Sequence, residues 1–390
     1  MIHFAAAGAQ NRDLDEAMQT IFSSISQQTI AGAPDLALVF ATSHFESHLA
    51  EIGRRVSKVT QPRILLGCNG ESVIGPEHEY ELVPAISLWL SWLPETDIQP
   101  FKLSATDVQS ITGADDIERF MGVQHPAESH VILLGDPFTL PVTTLLESVN
   151  QYLPDLPITG GMASGGASPG ETVLLYQDEV LDEGAVGVSL HGGVRVNTVI
   201  SQGCRPIGQP YIITQANKNV IEMLGSRPPL EIINEMYEAA PENEQKLMGQ
   251  GLFVGRVINE YKDKFKRGDF LVRNLLGADQ STGAVAVMDK VRQGTTVQFH
   301  LRDAETAEED LRILLNSYAH QPPKGALLFS CNGRGTRLYP DDDHDLNIIR
   351  ELLATPPISG FFCAGELGPV GGKNFIHGHT ASLVLFEATG

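Results

Sequence analysis

The sequence predicts a mixed α/β fold in which mixed β-sheets are covered by amphipathic helices. Three segments share one order of elements: an apolar strand, a loop, a helix, a glycine that ends a turn, a Gly-rich loop, and a strand beginning with alanine. The spacing from the first strand to that glycine is 31 residues from Leu36 to Gly67, 29 from Val131 to Gly160 and 34 from Ala326 to Gly360. These similar lengths indicate internally repeated strand-helix-strand units.

Each predicted helix carries apolar residues three or four positions apart, the spacing of a face buried on a sheet. These residues are Leu49, Ile52, Val56 and Val59 in the first segment, Leu145, Val149 and Leu153 in the second, and Leu346, Ile349 and Leu353 in the third.

Hairpin-like pieces lie between the segments. Residues 185–190 turn at a His-Gly-Gly sequence into 194–200, and residues 284–288 are followed by 295–301. Strands joined both by helices and by hairpins predict mixed sheets rather than an all-parallel sheet. The Pro- and Glu-rich stretch 227–250 suggests a crossing between two halves that share a cleft. We therefore expect two domains, 1–215 and 216–390.

Composition argues against several classes of function. With 27 basic and 48 acidic side chains the formal charge is −21, which repels nucleic acids and anionic membranes. No apolar run reaches the ~18 residues of a membrane helix, and the N-terminus lacks the basic opening of a signal peptide. The four cysteines form no Cys-x-x-Cys pair and are expected to be free thiols. The sequence thus predicts a cytoplasmic protein.

The richest motif lies near the C-terminus. Between residues 360 and 379, Cys363, Glu366, Asn374 and His377 are interleaved with glycines, which let the backbone bend sharply and approach a ligand closely. A shorter version occurs upstream, from Cys68 to Glu71. The chain is therefore expected to build one kind of loop more than once.

Phosphate and metal chemistry fit this motif poorly. Residues 368–374 resemble a phosphate-binding loop but have Leu367 in place of its first glycine and Asn374 in place of its Ser or Thr. The histidines His344, His377 and His379 are not part of an HExxH motif, the usual helical zinc-binding pattern. We expect no metal and no cofactor.

Two other arrangements remain open. Cys363 with His377 and Glu366 supplies the residue types of a cysteine nucleophile, its base and an orienting group. Arg334 and Arg337 lie on a Gly-rich loop after a predicted strand and would suit a carboxylate or a phosphate. The alternative for these arginines is an ion pair with residues 341–343, an acidic run that we interpret as the first turn of the next helix.

The chain resembles the FIST family, a sensory domain of F-box and intracellular signal transduction proteins. The resemblance rests on residues 201–208, 329–335 and 360–378, and it spans nearly the whole chain, with FIST N-terminal (1–215) and FIST C-terminal (216–390) domains. It implies binding of a small ligand, an amino acid among the candidates, and a signal passed to a partner protein. The loop at 67–71 is shorter than the family pattern.

We therefore expect a non-catalytic ligand-binding sensor, with Arg334 holding the carboxylate of an amino acid and Glu366 its ammonium group. Alternatives are a cysteine-dependent hydrolase or transferase and a protein-interaction scaffold without a small ligand. The candidate ligand-binding residues are Cys204, Arg205, Asn332, Arg334, Cys363, Glu366, Asn374 and His377, with Cys68 and Glu71 as further candidates.

Overall fold

The chain forms two compact units in a computed structural model that describes residues 1–262, 264–265 and 268–389. The first unit combines Met1–Ser201 with Leu311–Gly390, and the second comprises Gln202–Asp310. Both contain mixed or antiparallel sheets and helices, which confirms the predicted mixed α/β class. The division into domains 1–215 and 216–390 stays a prediction.

The first unit begins with two segments of similar order. The first segment contains β1 (His3–Gln10), α1 (Leu14–Ser26), β2 (Leu36–Thr42), α2 (Leu49–Thr60), β3 (Ile64–Gly70), β4 (Val73–Ile74), β5 (Glu79–Tyr80) and β6 (Ala85–Trp92). The second contains β7 (Thr96–Leu103), α3 (Ala105–Gln109), α4 (Ala114–Met121), β8 (Ser129–Gly135), α5 (Val142–Tyr152), β9 (Ile158–Met162), β10 (Leu174–Tyr176), β11 (Glu179–Leu181) and β12 (Ala185–Gly192).

The second unit follows the next strand of the first unit, β13 (Val194–Ser201). Its elements are β14 (Cys204–Asn217), β15 (Val220–Leu224), α6 (Pro229–Ala239), α7 (Glu242–Gln250), β16 (Phe253–Val257), β17 (Phe270–Ala278), β18 (Val285–Val287) and β19 (Thr296–Arg302). The six strands close into a barrel in the order β14-β15-β18-β17-β16-β19. The barrel core is built from apolar side chains such as Ile213, Val285 and Phe299.

After the barrel, α8 leads the chain back to the first unit, where the remaining elements of a third segment follow. Its elements are α8 (Ala304–Leu315), β20 (Gly325–Cys331), α9 (His344–Leu352), β21 (Ile358–Cys363), β22 (Glu366–Val370), β23 (Lys373–His377) and β24 (Ala381–Ala388). In sequence, the second unit stands between β13 and β20, where the first segment has α1 and the second has α3 and α4. The barrel is therefore an insertion in the third repeat.

The three sheets of the first unit have one architecture. Their strand orders are β1-β6-β2-β3-β10-β11, β7-β12-β8-β9-β22-β23 and β13-β24-β20-β21-β4-β5. Each sheet takes four strands from its own repeat and a hairpin from another repeat. The first repeat gives its hairpin to the third sheet, the third to the second, and the second to the first. The predicted internal repeat is confirmed, and this cyclic exchange ties the repeats into one unit.

The glycine that marks each repeat lies within a strand and not in a turn, which corrects the expectation. A Cβ on Gly67, Gly160 or Gly360 would lie 2.2, 1.9 or 1.8 Å from the carbonyl oxygen of the paired parallel strand. Only a residue without a side chain fits at this approach. These three glycines therefore define equivalent positions in the three repeats.

The predicted hairpins were wrong. Strand β12 does not pair with β13, because β7 and β8 already occupy both of its edges, and β13 pairs with β24 instead. Likewise β18 pairs with β15 and β17, while β19 pairs with β14 and β16. Nearness in sequence could not reveal which edges other strands would fill.

Aromatic side chains fill the space where the inner faces of the sheets meet. Phe40 of β2 lies 5.2 Å from Phe361 of β21 and 6.4 Å from Phe329 of β20, measured between ring centroids. The helices cover outer faces through buried residues such as Leu49 and Leu346, although Val59 is 55% exposed. None of the helices that the structure describes has the length and apolar content of a membrane span.

Candidate functional site

The second parallel strands of the three repeats end beside one another. Ser164, just after β9, accepts a hydrogen bond from the Glu71 N–H at 2.9 Å and donates one to the Phe362 carbonyl. The Phe362 N–H donates to Ser72 O at 3.0 Å, and the Ala364 N–H donates to Met162 O at 2.9 Å. One serine thus joins all three repeats at a single point.

We call this region the strand-end hub. It comprises residues 68–72, 162–164, 331–337, 362–366 and 377–380, all in the first unit. Of the ten predicted site residues, seven lie in it: Cys68, Glu71, Asn332, Arg334, Cys363, Glu366 and His377.

Three cysteines lie in the strand-end hub. Cys331 of β20 and Cys363 of β21 are paired in register, and Cys68 of β3 is close enough to influence Cys363. Burial raises the pKa of the Cys68 and Cys363 thiols well above the usual value, and the nearby Glu366 carboxylate adds to the effect at Cys363. Since the thiolate is the nucleophile, these two buried thiols are held in the unreactive form.

His377 is also engaged in a structural contact. Its Nε2 donates to the carbonyl of Gly368 at 2.9 Å, and the side chain is buried. A ring nitrogen that donates to a carbonyl carries its proton and cannot accept another through that atom. The geometry therefore gives little support to the candidate set of Cys363, His377 and Glu366 as a nucleophilic centre.

Glu366 begins the hairpin that the third repeat gives to the second sheet. It stands opposite Gly161, the residue after the marker glycine of β9. In the other two exchanged hairpins the same position is held by Val73, opposite Phe361, and by Leu174, opposite Cys68. The position therefore accepts an aliphatic residue in two repeats and a carboxylate in the third.

The Glu366 side chain is fully buried. Its Oε2 accepts the Thr380 N–H at 3.1 Å. A Cβ on Gly161 would lie 2.3 Å from Cys363 Sγ, so the glycine opposite Glu366 makes room for this thiol. Glu366 and Cys363 thus share one compact space at the end of β21.

Arg334 is fully buried and already holds a carboxylate. Its Nε and Nη2 donate to the two oxygens of Asp345 at 2.6 and 2.8 Å, and Nη2 also donates to Tyr339 Oη at 2.7 Å. Burial by itself would raise the pKa of Asp345, but the Arg334 charge outweighs it and lowers that pKa well below the usual range. The partner lies two residues beyond the acidic run 341–343 considered from the sequence.

Arg334 and Glu366 reach neighbouring residues of one segment. Arg334 Nη1 donates to His379 O at 3.4 Å, and the next residue, Thr380, donates its N–H to Glu366. The two side chains therefore lie in the same region of the first unit, and both are covered by protein. That they line one concave site stays a prediction.

Asn332 and Arg337 form the more accessible part of the strand-end hub. The Asn332 N–H donates to Cys363 O at 3.0 Å, while its Oδ1 is buried without a hydrogen-bond partner among the described residues. Arg337 donates to Asn332 O at 2.8 Å and pairs with Glu71 through Nη1 at 2.8 Å. The Arg337 side chain is 46% exposed, so this ion pair is accessible to solvent.

Three predicted site residues lie elsewhere. Asn374 faces the beginning of β9: its Oδ1 accepts the Ile158 N–H at 2.8 Å and its Nδ2 donates to Leu156 O at 2.9 Å. These bonds fix the exchanged hairpin to the second sheet. Cys204 and Arg205 belong to the second unit, where Arg205 pairs with Asp303 at 3.2 Å and Glu244 at 3.0 Å.

Ser164, Asp345 and Thr380 were not among the site residues predicted from the sequence. Ser164 lies in the Gly-rich loop after Gly160, and this loop was interpreted from the sequence only as a candidate for anion binding. Asp345 follows the acidic run, and its burial could not be read from composition. Among residues 1–262, 264–265 and 268–389, no group of three His, Cys, Asp or Glu side chains is arranged to hold a metal ion.

Comparison with known proteins identifies the family of this chain. The FIST N domain matches residues 35–227 and the FIST C domain matches residues 229–369. Together they cover most of the chain, which therefore belongs to the FIST family, a sensory domain of signal transduction.

Relatives of similar length occur in mycobacteria. The chain is 40% identical over 364 residues to "Uncharacterized protein MT0656" of Mycobacterium tuberculosis (strain CDC 1551 / Oshkosh), covering 92% of this chain and 93% of the relative. It is 40% identical over 365 residues to "Uncharacterized protein Mb0898c" of Mycobacterium bovis (strain ATCC BAA-935 / AF2122/97), covering 93% of each.

Proposed function

We propose that the chain is a non-catalytic sensor whose strand-end hub binds a small ligand bearing an ammonium group, with a free amino acid as the best candidate. The observation that carries the proposal is Glu366, a fully buried carboxylate at a position that Val73 and Leu174 fill in the other repeats. The fold itself is satisfied there by an aliphatic side chain.

Keeping a charge at such a position has an energetic cost. Removing a carboxylate from water costs several kcal/mol unless a partner compensates it. The hydrogen bond from Thr380 lowers this cost. A ligand ammonium group would add a charge-assisted hydrogen bond to the carboxylate, and recognition of such a group would give the retained acid a function.

Asn332 offers a second acceptor for the same group. Its N–H is bonded to Cys363 O, and Glu366 acts electrostatically on Cys363, so both residues lie close to this cysteine. No described residue donates a hydrogen bond to Asn332 Oδ1, which is a buried acceptor, and buried polar atoms are normally hydrogen-bonded. An ammonium group has three donors and can serve both acceptors.

The carboxylate of the ligand is assigned to Arg337 and not to Arg334. Arg334 is committed to Asp345 by two short hydrogen bonds. Arg337 also makes two hydrogen bonds to Glu71, through Nη1 and Nη2, but its side chain is 46% exposed, and water competes for such a pair, which is worth about 1 kcal/mol or less. Exchange of Glu71 for a ligand would free the loop 333–337, a change that a signalling partner protein could read.

A thermal-shift screen of the full chain against amino acids, amines and organic acids tests this function. A ligand at a hundred times its dissociation constant adds about 2.7 kcal/mol of stability. Glu366→Gln keeps an acceptor for Thr380 but removes the charge, and it should abolish the response to amino acids. The matched control is Glu79→Gln, which alters another buried carboxylate that accepts a backbone N–H.

The control should retain the full ligand response whatever its own melting temperature. Equal responses in Glu366→Gln and Glu79→Gln would exclude recognition by Glu366. Stabilisation by organic acids but by no amino acid or amine would contradict the ligand class.

A further inference from the structure

A cavity of about 370 Å³ lies in the first unit, apart from the strand-end hub. Its walls come from β1, the polar side of α1, the β4–β5 hairpin, the last turn of α9 and the segment after it. β1 is the edge strand of the first sheet and β5 is the edge strand of the third. The cavity thus lies between two sheet edges, and its volume suits a small molecule.

Backbone N–H and C=O groups at the outer edge of β1 point toward this cavity. The Gln28 side chain binds the outward N–H and C=O of Ala6 at 3.1 and 2.9 Å. Because outward-facing groups recur every second residue at the edge of an antiparallel sheet, the N–H of Gly8 points the same way. Gly8 lines the cavity, so it contributes a backbone donor.

Two glycines allow a tyrosine to enter the same space. A Cβ on Gly8 would lie 2.7 Å from the Tyr80 ring, and a Cβ on Gly75 would lie 2.9 Å from it. Tyr80 is 7% exposed, and burial with the charges of Glu77 and Asp343 raises its pKa to about 12. Its phenol therefore stays protonated and can donate a hydrogen bond.

Arg350 supplies the positive charge of the cavity. Within the described part of the chain, its guanidinium donates to the carbonyl of Glu77 at 3.4 Å, and no carboxylate lies in ion-pair contact with it. Arginine binds carboxylates through two parallel hydrogen bonds. The cavity therefore contains a cation whose strongest kind of partner is not supplied by the neighbouring protein.

The segment after α9 holds an uncommon backbone conformation beside Arg350. Ala354 and Thr355 have φ values of +54° and +51°, a region that is unfavourable for residues other than glycine and most of all for a β-branched one. Such conformations cluster at binding sites. Here the conformation places Thr355 in the cavity wall.

The geometry points to a second ligand site, in which Arg350, the Tyr80 hydroxyl, the Gly8 N–H and Thr355 bind a small monocarboxylate. The exposed Glu77 carboxylate at the rim disfavours an ion of higher charge. This selects a monoanion, such as acetate, propionate or lactate, over the phosphate dianion.

Titration of the isotope-labelled full chain with acetate, propionate, lactate and inorganic phosphate, followed by amide NMR, tests this site. A monocarboxylate should give saturable shifts at Gly8 and Thr355. Arg350→Gln should weaken its binding by about tenfold or more, because a charge-assisted pair is lost. Tyr80→Phe should weaken it by a smaller factor and keep the ring packing.

Arg54→Gln, which changes an exposed arginine of α2, is the control and should bind as the wild type does. Glu366→Gln should also bind monocarboxylates normally, so this site is tested independently of the proposed amino-acid site. Absence of saturable shifts with every monocarboxylate, or saturation with phosphate alone, would overturn the assignment. Unchanged binding in a folded Arg350→Gln variant would do so as well.

Discussion

Replacement of Arg334 by methionine should strongly reduce the stability of the first unit, because it leaves Asp345 as a buried charge without its arginine partner. Both side chains are at most 1% exposed, and the change removes two hydrogen bonds to the carboxylate and one to Tyr339. Breaking a buried ion pair on one side costs about 3–5 kcal/mol. The same replacement at Arg337, which is 46% exposed, should cost only about 0–1 kcal/mol.

Urea unfolding followed by tryptophan fluorescence measures this difference. The chain has two tryptophans, Trp89 and Trp92, and both lie in the first unit, so the signal reports that unit. The double replacement Arg334→Met with Asp345→Leu should recover most of the loss, because an apolar pair can replace a buried ion pair at little cost. Equal unfolding midpoints for Arg334→Met and Arg337→Met would refute this account.

The pH dependence of stability gives an independent check. The pKa of Asp345 in the folded chain lies well below the usual range, so the folded state favours the charged form. The stabilisation is present above the unfolded pKa of about 3.9 and is lost as pH falls below it. Arg334→Met should therefore lose less stability than the wild type on acidification.

Two further results are expected. Gly360→Ala should destabilise the first unit by about 3 kcal/mol, because its Cβ would lie 1.8 Å from Leu328 O. The control Gly378→Ala should be nearly neutral, because no atom lies within 4 Å of its Cβ. Similar unfolding midpoints for the two variants would contradict the steric explanation. Iodoacetamide at neutral pH should modify Cys363 much more slowly than the partly exposed Cys331, because burial raises the pKa of the Cys363 thiol. Mass spectrometry measures the modification, and rapid modification of Cys363 in the folded chain would show a reactive thiolate.

The sequence specified the repeat because local patterns are written in the chain. Apolar strands, helices with one apolar face and a glycine at similar spacing are all visible without coordinates. The same patterns placed Asn332, Cys363 and Glu366 after strands. Since the strands of equivalent repeats end alike, their polar loops could be expected to meet.

The sequence could not specify which partner each group would find. Arg334 was a reasonable partner for the carboxylate of an amino-acid ligand until the fold placed Asp345 against it. Asn374 belongs to the same motif as Glu366, yet its hydrogen bonds fix the hairpin to the beginning of β9. Spacing along a chain does not show which end of a hairpin a side chain will occupy.

What the sequence determined by itself is therefore the set of repeated local elements, because hydrophobic period and glycine placement act over a few residues. The tertiary structure alone decided the exchange of hairpins among the three sheets, the insertion of the barrel as a compact unit, and the equivalence of Glu366 with Val73 and Leu174. These features depend on pairing between strands far apart in the chain. Backbone hydrogen bonds are the same whichever residues pair, so the sequence does not show which strands will be neighbours.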